Sequence, residues 1–343
     1  MSEKKITYLL GAGASYNTLP LVENFKVYLN EFLGYISDLD ILSDSQYFLG
    51  ISNMYTQREY FELFKQTIEW MSDQSDKHAS IDTFAKKLLV TNSNDELRRL
   101  KAGLTSYFIL EQIRRQTNQR YDSFIASIID HKKRRENLPN NINIISWNYD
   151  FQIEKAYTDY CSLTKNTDQI HALLNLHPSN GANSVDSDIF GIYKINGTTN
   201  VYNNGKSEIL CLNDLDINDV IEKTIKIYAG LIERRPEYYS SLTFAWEEDP
   251  TAQDVISNAI ISTKNTEILV VIGYSFPFFN REIDRKIIQG MTNLKKIYFQ
   301  SPDAKDVIIK FGSILKDFKN SKGVKVDAEP ITDVKQFYLP PEL

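Results

Sequence analysis

The stretch that most constrains this chain is Ile6-Thr7-Tyr8-Leu9-Leu10-Gly11-Ala12-Gly13-Ala14-Ser15. A short apolar, partly β-branched run ends in Gly-Ala-Gly-Ala-Ser, and Pro20-Leu21, Phe25 and Leu29 resume at helical spacing. The pattern predicts a buried strand, a tight glycine turn and a helix. A helix start offers unpaired N–H groups and a positive dipole end, which suits a diphosphate. Gly11 and Gly13 carry no Cβ to hold a nucleotide off the backbone. The same pattern also describes a plain strand-to-helix connection. A dehydrogenase fingerprint needs a third glycine where Tyr16 stands, and an acidic strand end about twenty residues on. Residues 30–40 read as helical or irregular, so ordinary hydride transfer is disfavoured.

Further along, the chain alternates. From Val22 to about Arg135 it reads as mostly helical, with Phe61, Phe64, Ile68 and Met71, then Leu104, Phe108, Leu110 and Ile113, at three- and four-residue steps. Ser80 is the expected N-cap of a helix opening at Ile81. Lys132-Lys133-Arg134-Arg135 complements a helix C-terminus more simply than it makes a nucleic-acid patch. Strands are then expected from Asn143 to Ser146, Ile189 to Ile195, Glu267 to Ile272 and Lys296 to Phe299, with a last short one from Val324 to Asp327. Helices are expected between them, at Ile217 to Glu233 and Ala252 to Ser262.

Alternation of this kind predicts an α/β, Rossmann-like, doubly wound and mostly parallel sheet, whose ligands bind at the carboxyl ends of the strands. Polar turns at Gly11, Asn148, Asn196, Gly273 and Ser301 all fall at such ends. The expected organisation is one domain over 1–343, with a core from 1–20 and 141–343 and a helical insertion at about 21–140. The composition sets further bounds. A net charge of −6 argues against direct nucleic-acid binding. Cys161 and Cys211 are the only cysteines, so neither a disulfide framework nor a four-thiolate zinc site is available. No apolar run approaches a membrane span, and a soluble cytoplasmic protein is expected.

Four pieces then fall into an order that resembles the sirtuin-like superfamily, specifically its zinc-free prokaryotic branch associated with anti-phage defence. They are Leu10-Gly11-Ala12-Gly13-Ala14-Ser15, Ser146-Trp147-Asn148-Tyr149-Asp150, Lys194-Ile195-Asn196-Gly197-Thr198 and Gly273-Tyr274-Ser275-Phe276. The resemblance implies NAD+ as substrate, with Gly11, Ala12, Gly13, Ala14 and Ser15 at its diphosphate. It makes Asn148 the catalytic amide beside the nicotinamide ribose and Asp150 its supporting acid. Gly273 and Ser275 would line phosphate and ribose, and Ser301 and Asp303 would approach the adenosine end. Asn148 and Asp150 also suit an ordinary strand-end turn with a helix cap.

Two departures from the family pattern matter. Two cysteines cannot build the four-cysteine zinc module of the deacetylases, so the resemblance points to zinc-free NAD+ hydrolysis. The family's Lys-Leu-His-Gly motif supplies a histidine base where this chain has Asn196. An amide does not titrate near neutral pH and cannot take a proton from a ribose hydroxyl. His171 and His177, expected in a surface loop, are the alternative bases; His78 and His131 lie in the helical stretch. The resemblance further implies an NAD-depleting antiviral effector gated by homo-oligomerisation or by a partner such as a HerA-like ATPase. The competing expectation is a non-catalytic NAD- or ADP-ribose-binding regulatory subunit of a defence assembly.

Overall fold

The computed structural model describes residues 3–39, 42–129, 137–161, 167–178, 189–203, 206–208, 216–244 and 246–343. The Lys132–Arg135 run, His131 and Cys211 lie outside them. The chain divides into two compact units: Met1–Tyr16, Thr117–Gly197 and Thr243–Leu343 form the first, Asn17–Gln116 and Thr198–Leu242 the second.

The first unit is built on β1 (Ile6–Leu10), β2 (Ile142–Ser146), β3 (Leu176–His177), β4 (Gly191–Lys194), β8 (Ile268–Ile272), β9 (Lys296–Gln300) and β10 (Asp327–Ile331). Among the described residues these seven make one sheet in the order β10-β9-β8-β1-β2-β4-β3, with every pairing parallel. The chain winds outward from β1 to β2 and on to the edge strand β3, comes back to insert β4 between β3 and β2, then crosses to β8 on the other side of β1. That reversal makes the sheet Rossmann-like and doubly wound, and puts its topological switch point between β1 and β8.

Helices on both faces explain why the central strands read as unbroken apolar runs. Leu9, Ile145, Tyr193, Val271 and Phe299 face a core completed by α9 (Pro250–Ser262), α10 (Arg281–Gly290) and α11 (Ala304–Phe311). The alternate residues face the other way. Tyr8 meets Phe124 of α5 (Gln119–Ile128), with ring centroids 4.8 Å apart, and Phe124 meets Phe337 of the C-terminal segment. The helix α5 therefore belongs to the sheet's own unit, whereas the sequence placed it in the insertion. Its buried stripe of Tyr121, Phe124, Ile125 and Ile128 is what the sheet face takes up.

The second unit packs α1 (Phe25–Ser37), α2 (Gln57–Lys77), α3 (Ile81–Val90) and α4 (Asn94–Arg114) with α8 (Ile217–Ile232). Phe32, Phe64, Tyr107 and Tyr228 form its aromatic centre through edge-on contacts. Ser80 caps α3 by accepting from the Thr83 N–H, as its sequence suggests. A small sheet, β6-β5-β7, from β5 (Gly197–Asn203), β6 (Lys206–Glu208) and β7 (Tyr238–Leu242), joins these helices. The unit thus draws on 198–242 as well as on 17–116, a contribution the helical periodicity of the first stretch does not reveal. The last strand also shifts, to Asp327–Ile331, because Val326 is a core residue and the pairing with β9 starts after it. Among the described residues no helix is long and apolar enough to cross a membrane.

Gly273 has φ +58°, and a Cβ there would sit 2.3 Å from the Gly13 carbonyl carbon. Gly273→Ala should therefore destabilise the protein by several kcal/mol or prevent folding, since backbone on both sides must move. Gly34→Ala, in α1 with nothing within 4 Å of the added carbon, should be neutral or stabilising by up to about 1 kcal/mol. Urea unfolding of the two variants checks the contrast.

Candidate functional site

The glycine turn closes on the loop that follows β8. The Gly11 N–H donates to the Ile272 carbonyl at 3.0 Å, and the Gly13 N–H to the Gly273 carbonyl at 2.9 Å. Ala14 N–H turns back onto the Gly11 carbonyl at 2.8 Å. A Cβ on Gly11 would lie 2.6 Å from the Gly273 oxygen, and one on Gly13 2.7 Å from the Gly273 Cα. Both glycines are thus fixed by backbone meeting backbone across the switch point.

The expected helix after this turn is a single 3-10 turn, Ala12–Ser15. Asn17, at φ 73°, then takes the chain into a left-handed bend, and α1 begins only at Phe25 in the other unit. Among the described residues no α-helix begins directly at the turn, and three of its N–H groups already have protein acceptors.

The end of β2 comes down on the same turn. Trp147 N–H continues the ladder to the Leu10 carbonyl, and the Asn148 Nδ2 donates to the Gly11 carbonyl at 2.9 Å. Nδ2 also lies 3.4 Å from the Ser15 hydroxyl, which donates to Asp150 Oδ2 at 2.7 Å. The other Asp150 oxygen accepts from the Gln152 N–H at 3.1 Å, opening α6 (Gln152–Thr158). Asn148, Asp150 and Ser15 are all buried. Asn148 is consequently more than an exposed turn residue: its amide ties the second strand end to the first.

Asn196 sits one strand over, past the end of β4. Its Nδ2 donates to the Trp147 carbonyl at 3.1 Å, while its Oδ1 is buried without a hydrogen-bond partner. The structure therefore brings Ser15, Asn148, Asp150 and Asn196 to adjacent strand ends. Gly273 joins them through its backbone. Ser275 is exposed two residues further along, and Ser301 and Asp303 sit beyond β9, where the Ser301 hydroxyl donates to the Asp303 carboxylate.

Several neighbours escaped the sequence reading. Arg120, buried on α5, donates from Nη1 to the Gly13 and Ala14 carbonyls at 2.8 and 3.3 Å. Tyr121 reaches the Ser15 hydroxyl at 3.1 Å. The side chain of Asn118 donates to the Tyr16 carbonyl at 2.7 Å and its backbone N–H to Gln152 Oε1 at 2.9 Å. The only signal in the sequence was the Asn118-Gln119-Arg120 helix start, which reads as a cap.

His171 and His177 are not surface-loop residues. His177 ends β3, is buried, and stacks on Tyr193 with centroids 4.9 Å apart. His171, on α7 (Thr167–Leu173), lies against Phe151 at 6.5 Å. Burial, with a smaller push from the Lys194 charge, pulls the His171 imidazole down to about 4. Burial also lowers His177. Each ring has a buried Nε2 without a partner.

A second polar group lies under Trp147, whose ring stacks on Tyr274 at 5.7 Å. The Tyr274 hydroxyl lies 2.9 and 3.1 Å from the two Asp284 carboxyl oxygens and accepts from Asn280 Nδ2 at 3.1 Å. Burial pushes the Asp284 carboxyl up to about 8, against the opposing effect of the Tyr274 hydrogen bond. Among the described residues no group of three or more His, Cys, Asp or Glu is placed to hold a metal ion. A cavity of about 520 Å³ opens at the other end of the sheet, between Glu3, Ile128, Pro139, Asn141 and Leu343, away from these turns.

Comparison with known proteins adds little. No family model matches the sequence, and no curated protein matches it. Among solved structures, a match is found to Sir2Tm bound to a propionylated peptide, with 12% identity over 95% of this chain and 88% of that chain, and a TM-score of 0.35. At that TM-score the likeness carries no functional weight, and the Rossmann-like class rests on the strand order and register described above.

The Asp284 environment has a measurable consequence. In the unfolded chain this carboxyl ionises near its ordinary value of 3.8, whereas in the fold it keeps its proton to about pH 8. A raised carboxyl pKa means the folded state binds the extra proton, so this group's contribution falls as pH rises between those values. Asp284→Asn should flatten the loss of stability between pH 5 and 8, by on the order of a few kcal/mol. Denaturant titrations of both proteins at the two pH values check it.

Proposed function

We propose that the chain binds NAD+ at the carboxyl ends of β1, β2, β4 and β8 and hydrolyses the nicotinamide–ribose bond. One observation carries this reading: at the switch point, the Asn148 amide rests on the glycine turn beside a serine it shares with Asp150. The sirtuin-like motif order assigns Asn148, supported by Asp150, to the nicotinamide ribose, and the glycine turn with Ser15 to the diphosphate.

The chemistry suits such a set. Breaking the C1′–N bond leaves neutral nicotinamide with the bonding pair and cationic character on the ribose. Water then bonds to C1′ and gives its proton to solvent, yielding ADP-ribose. The protein has to orient the ribose, exclude bulk water and hold one attacking molecule. Buried amides and a hydroxyl do this without adding charge, and the free Asn196 Oδ1 is an acceptor for a ribose hydroxyl. Gly273 and Ser275 then line phosphate and ribose, with Ser301 and Asp303 toward the adenosine. In this proposal the setting is bacterial antiviral defence: a zinc-free cytoplasmic oligomer depletes NAD+ when released by a trigger or by a partner such as a HerA-like ATPase.

A second reading follows from Asn196 alone. An amide at the histidine position binds a ribose but takes no proton, which favours a regulatory subunit that holds NAD+ or ADP-ribose without turnover.

Nicotinamide release from NAD+, followed by chromatography, separates the two readings. Asn148→Ala should reduce release by at least about 10²-fold. It should also lower stability by about 1–2 kcal/mol, because a buried hydrogen bond to the glycine turn is lost. Asn196→His should raise release by roughly 10²- to 10⁴-fold with the NAD+ Kd little changed, and add a limb near pH 6.5 to the rate profile, about the unperturbed imidazole value. Tight NAD+ binding without release in every assembly state establishes the regulatory reading. Absence of both binding and release overturns both.

A further inference from the structure

Beneath the Asn148 turn lies a buried ion pair that neither reading uses. Lys194, on β4, and Glu154, on α6, are 1% and 0% exposed at the side chain, with Nζ and Oε1 2.9 Å apart. Burial raises the Glu154 carboxyl, and the Lys194 charge opposes that shift. Removing two charges from water costs several kcal/mol per ion, and their mutual attraction often fails to offset it. For packing alone, a methionine and a leucine would serve as well.

The ammonium makes one contact that an apolar side chain cannot. Lys194 Nζ donates to the Asp150 carbonyl at 2.5 Å, with the Phe151 ring centroid 5.7 Å away. Asp150 is thereby gripped at both ends: its carbonyl by Lys194, its carboxylate by the Ser15 hydroxyl and the Gln152 N–H. Asn148 is two residues upstream of this clamp. On its own strand, Lys194 pairs in register with Ser146 and stands two residues before Asn196. One buried cation thus links the strand ends that carry both amides, and Glu154 holds that cation in place.

From this geometry we infer that Lys194 and Glu154 are a positioning pair, setting Asn148 and Asn196 relative to one another through the Asp150 peptide. As a statement about catalysis this rests on the proposed NAD+ site. As a statement about the turn it does not. Lys194→Met alone would strand a buried carboxyl, so the decisive variant is Lys194→Met/Glu154→Leu, which replaces the pair by apolar groups of similar length.

The experiment combines hydrogen exchange with steady-state kinetics on NAD+. The double variant is expected to stay folded, with exchange in 147–153 faster by on the order of tenfold while 268–272 in β8 keeps its protection. Its kcat for nicotinamide release should fall on the order of 10²-fold with KM changed by less than about threefold, the signature of misplacement rather than lost binding. Unchanged exchange at 147–153 overturns the inference, as does an equal rise in β8, which would make the pair a general core support. Faster local exchange with unchanged kcat overturns its catalytic part. If the unmodified protein releases no nicotinamide, the hydrolase reading falls, and the exchange pattern alone decides whether the pair positions the turn.

Discussion

Everything at the carboxyl end of this sheet depends on two backbones touching. Gly13 and Gly273 meet so closely that neither has room for a Cβ, and the Gly13 N–H donates directly to the Gly273 carbonyl. The contact locks the loop after β1 to the loop after β8 across the switch point, where a doubly wound sheet offers its crevice. Gly273 at φ +58° is followed by Phe276 at φ 51°, an uncommon conformation for an aromatic residue. Phe276 is held there by packing against Tyr274, Phe299 and Phe311.

On that frame sits a polar cluster short of exposed charge. Ser15 is its hub, reaching Asp150, Asn148 and Tyr121. Arg120 spends its guanidinium on the carbonyls of the glycine turn, and Lys194 spends its ammonium on Glu154 and the Asp150 carbonyl. Cations are therefore used to build the turns, and the other polar side chains gathered at these strand ends are the Asn148 and Asn196 amides, the Ser15 hydroxyl and the Asp150 carboxylate. Such a set orients a sugar well and moves protons poorly. The same property underlies both functional readings, and Asn196 is where they part.

The sheet was legible because its central strands are buried on both faces and so appear as short β-branched runs ending in polar turns. β1, β2, β8 and β9 fall within a residue or two of where the pattern puts them. The positions of the polar turns were legible too, since Gly11, Asn148 and Asn196 stand within two residues of strand ends. What the sequence hid was partnership. Nothing local distinguishes a glycine that admits a phosphate from one that admits Gly273. Nothing in a helical stripe says that α5 packs on the sheet while α1 to α4 pack with α8. Lys194 and Glu154 read as ordinary charged residues, because a buried pair shows itself only when two distant segments are brought together.

The strand order also dictates a schedule of assembly. Ile6 pairs with Ile142 on one side and Ile268 on the other, so β1 is synthesised well before either of its neighbours. Its second neighbour emerges only after the helical unit, whose last residue is Leu242, has been synthesised in full. Contacts this far apart in sequence are slow to form, because long loops must close before any pairing compensates for them. During that interval Ile6 to Leu10 lacks its β8 partner, and an open apolar strand edge invites association with other chains. The nascent chain is thus most vulnerable at β1, and the Gly13–Gly273 contact closes only after β8 has been made. The two loops stay unjoined until β8 and Gly273 have been made, so a product truncated before them lacks the contact that locks β1 to β8.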